Sequence, residues 1–264
     1  MLKYIFSFVF FLPSIFLIAQ TEKIETDRPG RTNTADITPN NWLQSETGLQ
    51  KQTFRFQPVL KDLYFQSPAF LIKYGISNRF EVRLLSEFAH IKEENVTINS
   101  IYNGFINTQI GGKFNFLKQI GLIPKTSILA HYRFNILNSN AKGRDTINGG
   151  NISLAMQHKI SENFLVASNI GVDKLSWQYK PAYFFSVSPK FNFAENWQAF
   201  IEVYGNFWKR RFPETFIDSG ISYFINNNFK VDLSAGIRVS KDKYSSIKFF
   251  GIGASYRFKT SNEN

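Results

Sequence analysis

Phe229-Lys230-Val231-Asp232-Leu233-Ser234-Ala235-Gly236-Ile237-Arg238-Val239 alternates between a mostly apolar and a mostly polar set of side chains along its whole length. Successive side chains of a strand point to opposite faces, so this pattern predicts a strand with one greasy face and one charged face. The same split returns in both directions along the chain. Phe80, Val82, Leu84 and Phe88 oppose Glu81, Arg83 and Glu87. Ile106, Ile110, Phe114 and Phe116 oppose Asn107, Gln109, Lys113 and Asn115. Ile128, Ala130, Tyr132, Phe134 and Ile136 oppose Ser127, His131, Arg133 and Asn135. Helical periodicity is absent after residue 40, so the chain is read as all-β.

Twelve strands are expected, near residues 42–53, 64–76, 79–89, 104–116, 124–137, 149–160, 163–174, 181–193, 197–208, 215–225, 229–239 and 247–258. Every second connection is short and rich in turn formers, as in Ser77-Asn78, Ser161-Glu162, Ala194-Glu195-Asn196 and Asn226-Asn227-Asn228. The connections between these are mostly longer and polar: 54–63, 90–103, 138–148, 175–180, 209–214 and 240–246. Short turns at one end, long loops at the other and an even strand number are the marks of an outer-membrane barrel. A tilted spanning strand needs about 9–11 residues, whereas strands of soluble sheets centre on about five or six. The expected fold is a transmembrane antiparallel up-and-down β-barrel over residues 42–258.

Composition agrees. The 264 residues carry 31 Lys and Arg against 20 Asp and Glu, with no Cys, 29 Phe and 11 Tyr. Without Cys there is neither a disulfide framework nor a thiolate zinc site. A mean hydropathy of -0.21 argues against several apolar helical spans of about 20 residues each. Lys3 followed by the apolar run Tyr4 to Ile18 and small Ala19 reads as a signal peptide, residues 1–19, cleaved after Ala19. The Lys and Arg are dispersed rather than clustered, so the basic balance does not indicate nucleic acid. The exception is Lys209-Arg210-Arg211 in an expected outer loop, where acidic lipopolysaccharide is one partner it could meet.

The aromatic surplus is placed by the barrel. Trp42, Phe80, Phe88, Phe116, Phe164, Phe193, Trp197, Tyr223, Phe229 and Phe258 stand near strand ends in the apolar phase, where two membrane-interface girdles belong. Ile247-Lys248-Phe249-Phe250-Gly251-Ile252-Gly253-Ala254-Ser255-Tyr256-Arg257-Phe258 resembles the C-terminal strand by which the barrel assembly machinery recognises outer-membrane proteins. Tyr256 and Phe258 would carry that signal, and 259–264 would form a polar tail.

Glu25-Thr26-Asp27-Arg28-Pro29-Gly30, Trp42-Leu43-Gln44-Ser45-Glu46-Thr47-Gly48 and Leu71-Ile72-Lys73-Tyr74-Gly75-Ile76-Ser77-Asn78-Arg79-Phe80-Glu81-Val82-Arg83 stand out together, with Asp232 to Gly236 and Tyr256-Arg257-Phe258 behind them. In this combination the chain resembles the outer-membrane, transporter-like family named for the MetA-pathway of phenol degradation. The resemblance implies an outer-membrane barrel passing small molecules, hydrophobic or aromatic ones among them. It does not name a solute.

With the apolar phase turned to lipid, the inward set includes Gln44, Glu46, Lys73, Glu81, Arg83, Glu87, Gln109, Lys113, His131, Arg133, Lys190, Glu202, Asp218, Asp232 and Arg238. Charges at membrane depth must pair or meet water, so a polar interior is expected. Its charges serve either as a shape-holding ion-pair ladder or as the lining of a solute path. Twelve strands give a narrow bore, and the unpatterned N-terminal segment 20–41 is a candidate lumen plug from the periplasmic side. No catalytic, metal or cofactor motif is read. His158 and Ser161 are the only His–Ser neighbours and sit at an expected periplasmic turn, which disfavours a barrel phospholipase. Gly111-Gly112 and Gly251-x-Gly253 are read as bulges or kinks. The function expected is a narrow transporter-like channel, the alternative a non-transporting structural or surface-interaction barrel.

Overall fold

The computed structural model describes residues 22–56, 61–94, 99–105, 107–134, 148–175, 180–207, 213–240 and 245–260. The expected signal peptide, Lys209, Arg210 and Arg211, and residues 261–264 of the expected tail lie outside them.

Among the described residues thirteen strands form one sheet. They are β1 (Trp42–Phe56), β2 (Lys61–Ser77), β3 (Phe80–Glu94), β4 (Asn99–Phe105), β5 (Thr108–Leu117), β6 (Lys125–Phe134), β7 (Gly149–Lys159), β8 (Phe164–Leu175), β9 (Ala182–Ala194), β10 (Trp197–Phe207), β11 (Glu214–Asn226), β12 (Phe229–Arg238) and β13 (Ser245–Lys259). All strand pairs are antiparallel, and β1 pairs with both β2 and β13, closing the sheet. β4 and β5 pair successively with β3, so they count as one stave and the barrel has twelve among the described residues.

Two expectations need correction here. Segment 90–103 is not a loop throughout, because β3 runs on to Glu94 and pairs with β4 from Asn99. Likewise, β1 and β2 extend to Phe56 and back to Lys61. Strand ends that rise beyond the acyl layer meet water on both faces, so the alternation that betrays a membrane strand fades there. The glycine pairs are not bulges either. The ladder passes Gly111, Gly112, Gly251 and Gly253 without a register shift, and the shifts fall instead at strand ends, as at Gly75/Ser77 and Phe224/Asn226. Gly111 leaves space for the His131 ring and Gly112 for Phe80.

Burial is inverted relative to a soluble sheet protein. Lys113, Glu81 and Glu202 are 0% exposed, whereas Ile201 is 59%, Leu49 50% and Ile252 50% exposed. No aqueous fold gains from that arrangement, since apolar area is what water expels. A barrel in lipid does. Leu49, Ile252 and Leu233 lie side by side across β1, β13 and β12 in this outward band. At the short-turn end Trp197 packs on Tyr223 and Phe193, while Tyr256 packs on Phe229 and Phe258. The turns there close by side-chain bonds, the Asn228 amide donating to Asn226 Oδ1 at 2.8 Å.

Candidate functional site

The lumen is where the charged phases of the strands converge, and residues 22–40 lie among them. This segment starts and ends at the short-turn end. The Ile24 amide donates to the Asn227 carbonyl of the β11–β12 turn at 2.8 Å, and Asn41 donates to Gly75 of β2 at 2.9 Å. Asn41 joins the segment to β1 with φ of 62°, a left-handed conformation that Asn tolerates.

Three wall carboxylates hold the ascending half. Glu46 of β1 accepts the amides of Asp27 and Arg28 at 3.1 and 3.0 Å. Asp232 of β12 pairs with the Arg28 guanidinium at 3.1 Å. Glu202 of β10 accepts the amides of Arg31 and Thr32 at 2.6 and 2.7 Å, and the Thr32 hydroxyl as well. Polar side chains then hold the descending half. Asn169 accepts from the Asn33 amide at 2.7 Å and donates to its carbonyl at 3.0 Å. Thr34 donates to Gln157 at 2.6 Å, Ser127 donates to the Ala35 carbonyl at 2.6 Å, and Glu81 accepts the Thr38 amide at 2.6 Å.

One reciprocal contact stands out. Asp27 of the segment meets three wall cations: Arg83, Lys73 at 3.5 Å and Lys113 at 3.7 Å. Lys73 is shared with Glu46 at 2.5 Å and Lys113 with Glu81 at 3.4 Å. Burial alone would raise the Asp27 pKa, but Arg83, Lys113 and Lys73 outweigh it and hold the carboxyl well below the usual carboxylate range. Burial also works against Asp36, where Lys125 and a bond from Gln157 win and the pKa falls. At Glu25 burial, reinforced by Asp36, prevails and the pKa rises.

Of the residues singled out in the sequence, Glu46, Lys73, Glu81 and Arg83 are thus brought together around Asp27, with Glu202 and Asp232 as separate grips. Asp218 lies across the ladder from Glu202, with Oδ1 lacking a protein partner. Glu87 is on the inward face of β3, part-exposed, within electrostatic range of Arg31. Arg133 of β6 stands opposite Gln109. Arg238 reaches Glu214 at 3.9 Å near the long-loop end. Tyr256 and Phe258 face outward. His131 bonds Asn151 within the lumen at 3.2 Å. Ser161 instead accepts the Asn163 amide at 3.3 Å.

Two features were not read from the sequence. Gly48 and Gly253 face each other across β1 and β13, and Arg28 lies over both so closely that any Cβ would strike its guanidinium. Above the segment, toward the long loops, two adjoining cavities of about 430 and 500 Å³ share Phe184 and Asn206. Phe54, Phe184, Tyr204, Phe216 and Phe249 wall the second. The available signal was an aromatic in the polar phase of a strand, which is out of place unless the lumen uses it.

The sequence model of the family described as MetA-pathway of phenol degradation matches residues 26–258, from the Thr26-Asp27-Arg28 grip to the last strand. The chain belongs to this family. Among solved structures, an outer membrane channel from Pseudomonas putida matches with a TM-score of 0.68 at 8% identity, covering 87% of this chain and 99% of that one. The KdgM porin in complex with disordered oligogalacturonate gives 0.53 at 11% identity, covering 81% and 99%. The TodX monoaromatic hydrocarbon channel gives 0.52 at 8% identity, covering 85% and 91%. At such identities the likeness is one of fold, and it places this family member among outer-membrane β-barrels. No curated protein matches the sequence.

Proposed function

We propose that this member of the family is an outer-membrane channel for small molecules whose bore is governed by residues 22–40. The observation that carries the reading is the nature of the grip. The segment is held by ion pairs and hydrogen bonds to wall carboxylates and cations, with Ala35 on Leu129 and Ala155 and the buried Ile24 as its apolar contacts among the described residues. Polar contacts of this kind can be exchanged for water, each at a cost of about 1–3 kcal/mol, so the segment can leave without unfolding the barrel, whose strands are held by their own ladder. The similar structures are of channels and a porin, one of them a monoaromatic hydrocarbon channel. That supports passage of small solutes, hydrophobic or aromatic ones included.

A second reading is a closed, structural barrel with a permanent plug. The full burial of Glu46, Glu202 and Glu81 by segment amides favours it. Planar-bilayer recordings on the purified protein and on a variant lacking residues 22–38 separate the two. The channel reading expects rare or small openings in the wild type and a large steady conductance in the deletion. A flat trace from both overturns it. Under either reading Tyr256 and Phe258 act as the signal read by the barrel assembly machinery, and the chain carries out no catalysis.

A further inference from the structure

We infer that the aromatic-walled cavity above residues 22–40 is a binding site for small aromatic carboxylates, with Arg31 as the group that reads the carboxylate. The inference deepens the channel reading and rests on it for its biological role.

Arg31 is the tip of the segment. Its amide makes the bond to Glu202, while its side chain turns to Tyr204 of β10. Arg31 is an exposed residue that lines the cavity, with its guanidinium over the Tyr204 ring, 5.9 Å from its centre. Four other cations of the lumen are already committed to carboxylates: Arg28 to Asp232, Lys73 to Glu46, and Arg83 and Lys113 to Asp27. Among the described residues no carboxylate forms an ion pair with Arg31. Of the neighbouring acids, Glu202 is filled by segment donors and Glu214 faces Arg238, while Glu87 and Asp218 act on the Arg31 charge from longer range.

The walls select what accompanies the charge. Tyr204 stacks on Phe216 with centroids 5.0 Å apart, and Phe54 and Phe249 come in from β1 and β13. A cavity of about 500 Å³ holds one small ligand with water to spare, within the usual range of ligand sites. A planar guanidinium offers two parallel donors to one carboxylate, and the rings offer faces and edges to another ring. Neither half suffices alone. An aliphatic acid would leave the rings wet, and a neutral aromatic would leave Arg31 unanswered.

The test is calorimetric titration of the full-length mature protein in detergent with three probes: benzoate, benzyl alcohol and acetate. Benzoate is expected to bind at one site, and tighter than either of the other two. Arg31→Gln should weaken benzoate by about tenfold or more, as loss of a charge-assisted bidentate bond does, while leaving benzyl alcohol nearly unchanged. Arg31→Lys should restore part of the loss. Phe249→Ala should weaken benzoate and benzyl alcohol alike. Limited proteolysis of each variant reports whether residues 22–40 remain in place. Benzoate binding that ignores Arg31→Gln, or benzyl alcohol binding as tightly as benzoate, overturns the inference. A conducting barrel that binds no benzoate removes the site and keeps the channel. Benzoate binding in a barrel that never conducts, even without residues 22–38, keeps the site and removes the channel.

Discussion

Arg28 and Asp232, 204 positions apart in the chain, meet at 3.1 Å over a slot that two facing glycines leave in the barrel wall. Gly48 and Gly253 contribute no side chain. They set the depth to which a guanidinium can enter, and Asp232, opposite Gly253 on the next strand, supplies the charge at that depth. Gly253→Val fills the slot while adding a residue type that strands favour, so the barrel should form and the segment should not seat. Losing a buried pair costs about 3 kcal/mol, which raises an undocked population about a hundredfold. Single-channel recordings should show that rise in open time, with heat-modifiable mobility on gels unchanged. An unaltered open time would mean Arg28 does not hold the segment.

Asp27→Asn tests the opposite pole. Asp27 neutralises part of a wall cluster of Lys73, Arg83 and Lys113. Without its charge those cations face the bore partly unpaired, and a bore lined by surplus positive charge concentrates anions. The reversal potential in a KCl gradient should move toward the chloride value. A shift toward potassium would show that the cluster does not line the conducting path.

The acidic groups of the segment give the pH response a definite sign. A carboxyl depressed on docking, as Asp27 and Asp36 are, contributes affinity above the free aspartate value of about 3.9. That contribution disappears only as pH falls through the lower docked value. Glu25 is raised, so its protonation strengthens docking as pH falls through that raised value. Conductance should therefore stay flat or decline from neutral pH to about 5 and rise only below about 4. A steep opening between neutrality and pH about 5 would contradict this assignment.

The sequence showed the barrel more fully than its contents, and the reason is physical. Lipid imposes one rule on every spanning strand, apolar outward, and the rule is written as a period of two in β12, β3 and β6. Where strands leave the lipid the rule lapses, and β3 beyond His90 could not be seen. Inside, the phase of Glu46, Lys73, Arg83, Glu202 and Asp232 was legible, but their partners were not. Arg28 finds Asp232 and Asp27 finds Arg83 across separations of 204 and 56 residues, which no local pattern encodes. Gly48 and Gly253 are harder still. A glycine that accepts a side chain from elsewhere looks, in sequence, like one that kinks its own strand.

The outward band can be tested without reference to solutes. Ile252 is half exposed and flanked by Leu49 and Leu233, both apolar and both outward, so it belongs to the middle of the lipid-facing belt. An arginine there must sit in hydrocarbon or drag water and headgroups toward it. At the midplane of a barrel this costs about 2–4 kcal/mol. Ser234, one residue along the chain from Leu233 but turned inward and 6% exposed, has no such exposure to lipid. Ile252→Arg should lower the unfolding free energy in phospholipid vesicles by that amount, and Ser234→Asn should lower it by less than about 1 kcal/mol. Equal effects would mean that the two faces meet the same medium. The inverted burial would then need an explanation other than a membrane.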